Sequence, residues 1–190
     1  MTAIIHAILD YNPGLNRENK PKPWHPHIII LDPHNEYRKA FPKAQRLVSD
    51  EGTLKLPYWL LNLQELIDLF IGKTEFQATS QTNILKMALI EARKEGIERI
   101  GFHEGEISVD SPVPFSLNTL KAKITEDMMK ISAASKRDKH ENILNKIDIL
   151  KRDVRLNFLM DDWNSGADEI KDIISQFISL RNTLKIVGMG

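Results

Sequence analysis

The sequence predicts an α/β fold, on three observations. His27-Ile28-Ile29-Ile30-Leu31-Asp32 is an unbroken, β-branched apolar run, the pattern of a strand buried on both faces of a parallel sheet. Several longer stretches repeat their apolar residues at helical spacing. The inferred order is helix, strand, several helices, strand, helix, strand, which alternates types as α/β domains do.

Thr2 to Leu9 reads as a helix without a strong cap, and the prolines and asparagines of Asp10 to Pro26 read as a loop. After the strand, Asn62 and Glu65 have the spacing of a capping box ahead of Leu66, Ile67, Leu69 and Phe70, with Gly72 as the stop. A second helix is expected from Ser80 or Thr82 to Glu95, burying Ile84, Leu85, Ala88, Leu89 and Ala92 and closed by Gly96. Phe102 to Phe115 reads as a polar turn region ending in Pro112-Val113-Pro114. Helices follow at Leu117 to Ser132 and Arg137 to Arg152. Val154 to Met160 alternates apolar and other residues and predicts a strand. Ala167 to Leu180 is helical in spacing, through Ile170, Ile173, Ile174, Phe177 and Ile178. Leu184 to Val187 closes the chain as a strand.

Composition narrows the function classes. Across 190 residues, 26 Lys and Arg balance 26 Asp and Glu, so no global field draws the chain to nucleic acid or membrane, and any DNA contact must be local. The absence of cysteine excludes disulfides, thiolate metal sites and a thiol nucleophile. No run reaches the ~20 apolar residues of a membrane span, and the opening residues do not make a signal peptide, so a cytoplasmic location is expected.

One segment carries chemical information. Asp32-Pro33-His34-Asn35-Glu36-Tyr37 follows directly on the strand Ile28–Leu31, and the carboxyl ends of parallel strands are where open α/β sheets bind ligands. This segment resembles the D-x-H-G-E-Y signature of HerA/FtsK-type DNA-translocating ATPases, with Asn35 in place of the glycine. Asn tolerates the left-handed backbone that such a glycine adopts. Leu56-Pro57-Tyr58-Trp59-Leu60-Leu61-Asn62, the helix opened by Gln77 to Glu91, Ser111-Pro112-Val113-Pro114-Phe115 and Arg155-Leu156-Asn157-Phe158-Leu159 extend the resemblance over most of the chain.

The resemblance implies a partial RecA-like (P-loop NTPase) sheet with an all-helical insertion. Residues 1–61 would belong to the ATPase core, 62–152 to the insertion and 153–190 to the return to the core sheet. It implies a homohexameric translocase or helicase on double-stranded DNA, dependent on ATP and Mg2+, partnered with a nuclease or an antiviral defence effector. Asp32 and Glu36 are the expected catalytic residues, and Asp32 and His34 the expected nucleotide-binding ones. No metal site made of protein groups alone is expected. A phosphate-binding loop, G-x-x-x-x-G-K-[S/T], does not occur in these residues. The chain therefore reads as an internal piece, inactive and without tight nucleotide binding when alone.

Plainer readings stand beside these. Asp32 with Pro33 is also an ordinary N-cap and first helical residue after a strand. His25 and His27 at the strand entrance read as solvent-facing or packed rather than as ligands. The basic stretch Lys121, Lys123, Lys130, Lys136, Arg137 and Lys139 is interrupted by acids and reads as a solvated face, and Tyr58 and Trp59 read as core. The alternative functions are a stand-alone protein-interaction module with a relic ATPase motif and, further off, a metal-dependent phosphoesterase using Asp32, His34 and Glu36.

Overall fold

The computed structural model describes residues 1–49, 51–72, 75–99, 105, 107–132, 137–162, 167–177 and 183–188. Their elements are α1 (Thr2–Leu9), β1 (His27–Asp32), β2 (Gln45–Val48), α2 (Leu63–Phe70), α3 (Glu75–Arg99), α4 (Leu117–Met129), α5 (Asp138–Arg152), α6 (Asn157–Met160), α7 (Ala167–Phe177) and β3 (Thr183–Gly188). They form two compact units, Met1–Lys55 with Asp168–Gly190, and Leu56–Ala167. The expected helical residues Ile178 to Leu180, the side chain of Ile170 and the start of the Phe102 turn region lie outside the described residues.

The first unit is built on a three-stranded parallel sheet in the order β1-β3-β2, with Ile30 opposite Ile186 and Arg46 opposite Ile186 on the other side. The last strand in sequence is thus the central one. Ile30 and Ile186 pack with Ile5 of α1 and with Phe41, and Leu9, Ile28 and Tyr37 close around them. The loop after α1 is fixed by Trp24, whose indole N–H donates to the Ile8 carbonyl at 2.7 Å while Tyr11 meets its ring edge-on.

One expectation changes here, and one strand is new. β1 is buried on one face, not both: Ile30 and Asp32 point inward, whereas Ile29 is 48 % exposed and Leu31 76 %. Among the described residues β1 pairs only with β3, so it is an edge strand, and α1 and Phe41 cover just one of its sides. β2, to which the sequence pattern assigns no element, forms because its four residues pair with β3. On the face opposite Ile186, Lys185 is buried and its ammonium donates to the carbonyls of Ser175 and Gln176 in the last turn of α7. Burial pushes this amine below the usual lysine range.

The second unit is helical. The predicted capping box is present: the Glu65 N–H donates to Asn62 Oδ1 at 3.0 Å and the Asn62 N–H to Glu65 Oε2 at 2.8 Å. Gly72 stops α2 with φ +83°. Tyr58 and Trp59 are buried in the core, and the Tyr58 hydroxyl donates to the Phe115 carbonyl at 2.6 Å while accepting from the Leu117 N–H at 3.1 Å. Arg93 is the other lock. Its guanidinium donates to the carbonyls of Leu61 and Val109 and lies 5.7 Å from the centre of the Phe115 ring. Burial pulls its pKa down to about 10, against the opposing pull of Asp110.

Two further expectations are corrected in this unit. Val154 to Met160 is a 3-10 turn at Val154–Leu156 leading into the single helical turn of α6, because the Asp153 side chain accepts from the Arg155 N–H and its carbonyl from the Leu156 N–H. Alternation alone could not distinguish this capped turn from a strand. Gly96 does not close α3, which runs on to Arg99. The residue is glycine because the Pro114 carbonyl lies where a Cβ would stand.

Gly96→Ala therefore opposes two effects. Helix propensity alone would add about 1 kcal/mol, whereas overpacking against Pro114 costs ~1–3 kcal/mol. Chemical denaturation is expected to show net destabilisation of the second unit; a gain in stability would mean that the approach of Pro114 to α3 is wrong.

Candidate functional site

The turn that leaves β1 is organised by Asp32. Because strand residues alternate sides, Ile28, Ile30 and Asp32 share the covered face, and Asp32 is only 2 % exposed. A buried carboxylate must be hydrogen-bonded. Oδ1 accepts the Glu36 N–H at 2.9 Å and Oδ2 the Tyr37 N–H at 3.0 Å, while the Asp32 carbonyl accepts the Asn35 N–H at 3.3 Å. No helix begins at Pro33. The carboxylate instead closes a turn, reaching residues four and five positions on.

That closure sets the backbone of Asn35 at φ +56°, the left-handed region that glycine takes at least cost. Beyond the turn, Tyr37 begins a second one, its carbonyl accepting from the Ala40 and Phe41 N–H groups. Its ring stacks on Phe41 at 6.4 Å and its hydroxyl lies 3.3 Å from Met1 Sδ. Asp32 thus ties the sheet's carboxyl edge to the cluster that packs α1.

The expected site residues divide by geometry. Asp32 is inside, with both oxygens engaged by backbone. His34 and Glu36 are exposed beside it. Among the described residues no group of three or more His, Asp or Glu side chains is arranged to hold a metal ion, so Asp32, His34 and Glu36 do not converge on a common centre. His25 and His27 are exposed at the opposite end of β1.

Arg46 is the residue at this edge that sequence reasoning passed over. From β2 its side chain runs to the carboxyl end of the sheet, where Nη2 donates to Asn35 Oδ1 at 3.4 Å and Nη1 lies 3.6 Å from Glu51 Oε1. Its Nε is buried and has no hydrogen-bond partner among the described residues. The guanidinium therefore bridges the turns after β1 and β2 through long contacts, which among the described residues leave much of its donor capacity unspent. An arginine within Gln45-Arg46-Leu47-Val48 gives no signal of this until β2 is known to be a strand.

For a magnesium nucleotide the fit is partial. The donors of Arg46 suit the anionic phosphates and Glu36 offers an exposed carboxylate, but these residues include neither a backbone phosphate cradle nor a metal-binding group.

Acidic partners stand beside Lys121, Lys123 and Lys130 in the basic stretch of the second unit. Lys121 pairs with Asp148 at 2.5 Å, Lys123 with Glu126 and Lys130 with Asp127 at 3.9 Å each. Lys139 donates to Ser80 Oγ at 2.9 Å and Arg137 to the Ile131 carbonyl at 2.7 Å; Lys136 lies outside the described residues. These geometries favour a solvated face over a phosphate-binding strip. Among the described residues no helix is long and apolar enough to cross a membrane.

The turn makes a paired prediction. Asp32→Asn keeps the volume but aims an amide N–H at a backbone N–H, and should cost ~1–3 kcal/mol in denaturation. Asn35→Gly should be near neutral, whereas Asn35→Ala should lose about 1 kcal/mol to left-handed strain. Equal stabilities for the Gly and Ala variants would contradict this backbone geometry.

A search of curated proteins returned no match to this sequence. A protein-family model described as "Helicase HerA, central domain" matches residues 14–189, most of the chain. The match spans the Asp32 turn, all three strands and the helical unit, the same stretches on which the sequence resemblance rests. The chain therefore belongs to the family of the helicase HerA central domain, a family of ATPase- and helicase-type translocases.

Proposed function

We propose that this chain forms part of the motor core of a homohexameric, ATP- and Mg2+-dependent translocase on double-stranded DNA, with a RecA-like sheet as the core. The phosphate-binding loop absent from these residues is then supplied by another segment. A cytoplasmic setting and a nuclease or antiviral effector as partner complete the reading.

The observation that carries it is the placement of the Asp32 turn. Three parallel strands end together at β1, β3 and β2, and the turn locked by the Asp32 carboxylate presents His34, Asn35 and Glu36 at that edge, within a chain matched by the HerA central-domain model. ATP, when bound, supplies the phosphoanhydride whose hydrolysis drives movement. Asp32 fixes the loop; Glu36, with an exposed carboxylate, orients or deprotonates water; His34, exposed in the same turn, would contact the nucleotide.

A second reading is an interaction module. It is favoured by a cleft of about 320 Å³ between α3 and α4, where Ile84, Met87 and Ala88 face Lys123, Glu126 and Asp127. Its mixed apolar and charged walls suit the apolar and polar faces of an amphipathic peptide segment.

ATP hydrolysis by the complete gene product containing this chain, with and without duplex DNA, separates the two. The motor reading expects DNA-stimulated hydrolysis, lost by a factor of about 10² or more in Glu36→Gln with little change in KM. A folded complete protein that neither hydrolyses ATP nor responds to DNA would leave the module reading in its place.

A further inference from the structure

We propose that Arg46 is a phosphate-contacting residue for the polyphosphate of a nucleotide, held in a waiting position by Asn35 and Glu51. The inference rests on the nucleotide-dependent reading above and adds to it a residue and a direction of exchange.

A guanidinium has five N–H donors in a rigid fork that matches two phosphate oxygens at once. Where arginine serves as a structural staple, those donors are spent on close carbonyls or carboxylates, as with Arg93 and the carbonyls of Leu61 and Val109. Arg46 differs. Its contact with Asn35 is 3.4 Å and its approach to Glu51 is 3.6 Å, both longer than the 3.2 Å from Arg93 to Leu61, while its Nε, like that of Arg93, is buried and unpartnered among the described residues. Contacts this long, on a guanidinium that is partly exposed, leave its terminal N–H groups open to a closer acceptor.

Position supplies the ligand class. Arg46 opposes Ile186 in the register, but its guanidinium reaches the turns that follow β1 and β2, at the carboxyl edge where parallel sheets hold ligands. Its side chain is 23 % exposed, open enough to meet a ligand and enclosed enough to strengthen a charge-assisted bond. Glu51 competes with any incoming anion, and Asn35 connects Arg46 to the Asp32-locked turn. Phosphate oxygens replacing Glu51 would draw the guanidinium away from β2's turn while the turn after β1 stays fixed.

The test reads Arg46 directly, on this chain as it stands. Its side-chain Nε–Hε resonance is followed by NMR during titration with tripolyphosphate, with sodium chloride at matched ionic strength and a short DNA duplex as separate arms. The expected result is a saturable shift with tripolyphosphate and none with chloride or duplex. Glu51→Gln should tighten the apparent affinity roughly 2- to 5-fold, the scale of one exposed ion pair removed. Arg46→Lys, which keeps charge but loses the fork, should weaken it about tenfold while backbone resonances of Glu36 and Tyr37 stay in place.

A resonance that moves no further in tripolyphosphate than in chloride overturns the proposal. So does a shift produced by duplex alone, or a Glu51→Gln variant that binds no tighter. Hydrolysis by the complete protein is read separately: hydrolysis with an indifferent Arg46 removes this inference only, and an Arg46 shift without hydrolysis removes the motor reading only.

Discussion

Burying a carboxylate costs several kcal/mol unless its oxygens find donors, and at Asp32 the donors are two backbone N–H groups supplied by the chain immediately after the strand. The rest of the first unit follows from that demand. To deliver the N–H groups of Glu36 and Tyr37 to one side chain, the backbone must pass through a left-handed residue at Asn35. Tyr37 then arrives against Phe41 and Met1, and through Phe41 against His6 of α1, at 4.6 Å between rings. A single strand-end residue thereby joins the sheet, the turn and the first helix.

The central strand is bound to its surroundings from both faces by different chemistry. Ile186 fills the apolar core on one side, and Lys185 on the other turns its ammonium to the free carbonyls ending α7. The latter satisfies groups that a helix terminus leaves without partners and places positive charge at the negative end of the helix dipole. In the helical unit, Tyr58 and Arg93 do comparable work by giving side-chain partners to the backbone of Leu61, Val109, Phe115 and Leu117. Polar groups inside both units are thus used to fix loops, where apolar packing alone gives little direction.

Signals that are local and chemically specific were readable in the sequence. The Asn62–Glu65 box, the Gly72 stop, the β1 run and the importance of Asp32 all depend on neighbours within a few residues. What escaped depends on distant ones. β2 is a strand because β3, far along the chain, pairs with it, and Arg46 becomes part of the candidate site only through that pairing. Gly96 resembles a helix stop until Pro114 is found against it. β1 seemed fit for burial on both faces because composition reports hydrophobicity, not how many layers cover a strand. Asp32 itself was legible as a position at the sheet's edge, but not as a carboxylate occupied by backbone.

Backbone amide hydrogen exchange at Glu36 and Tyr37 tests the organising role of Asp32 most directly. The account predicts that both amides exchange as slowly as those of the β1–β3 ladder, although both belong to a loop and Glu36 is exposed. Exchange at the rate of an unprotected, solvent-exposed amide would show that the carboxylate does not hold them, and the turn would lose its claim to position anything at the sheet's edge.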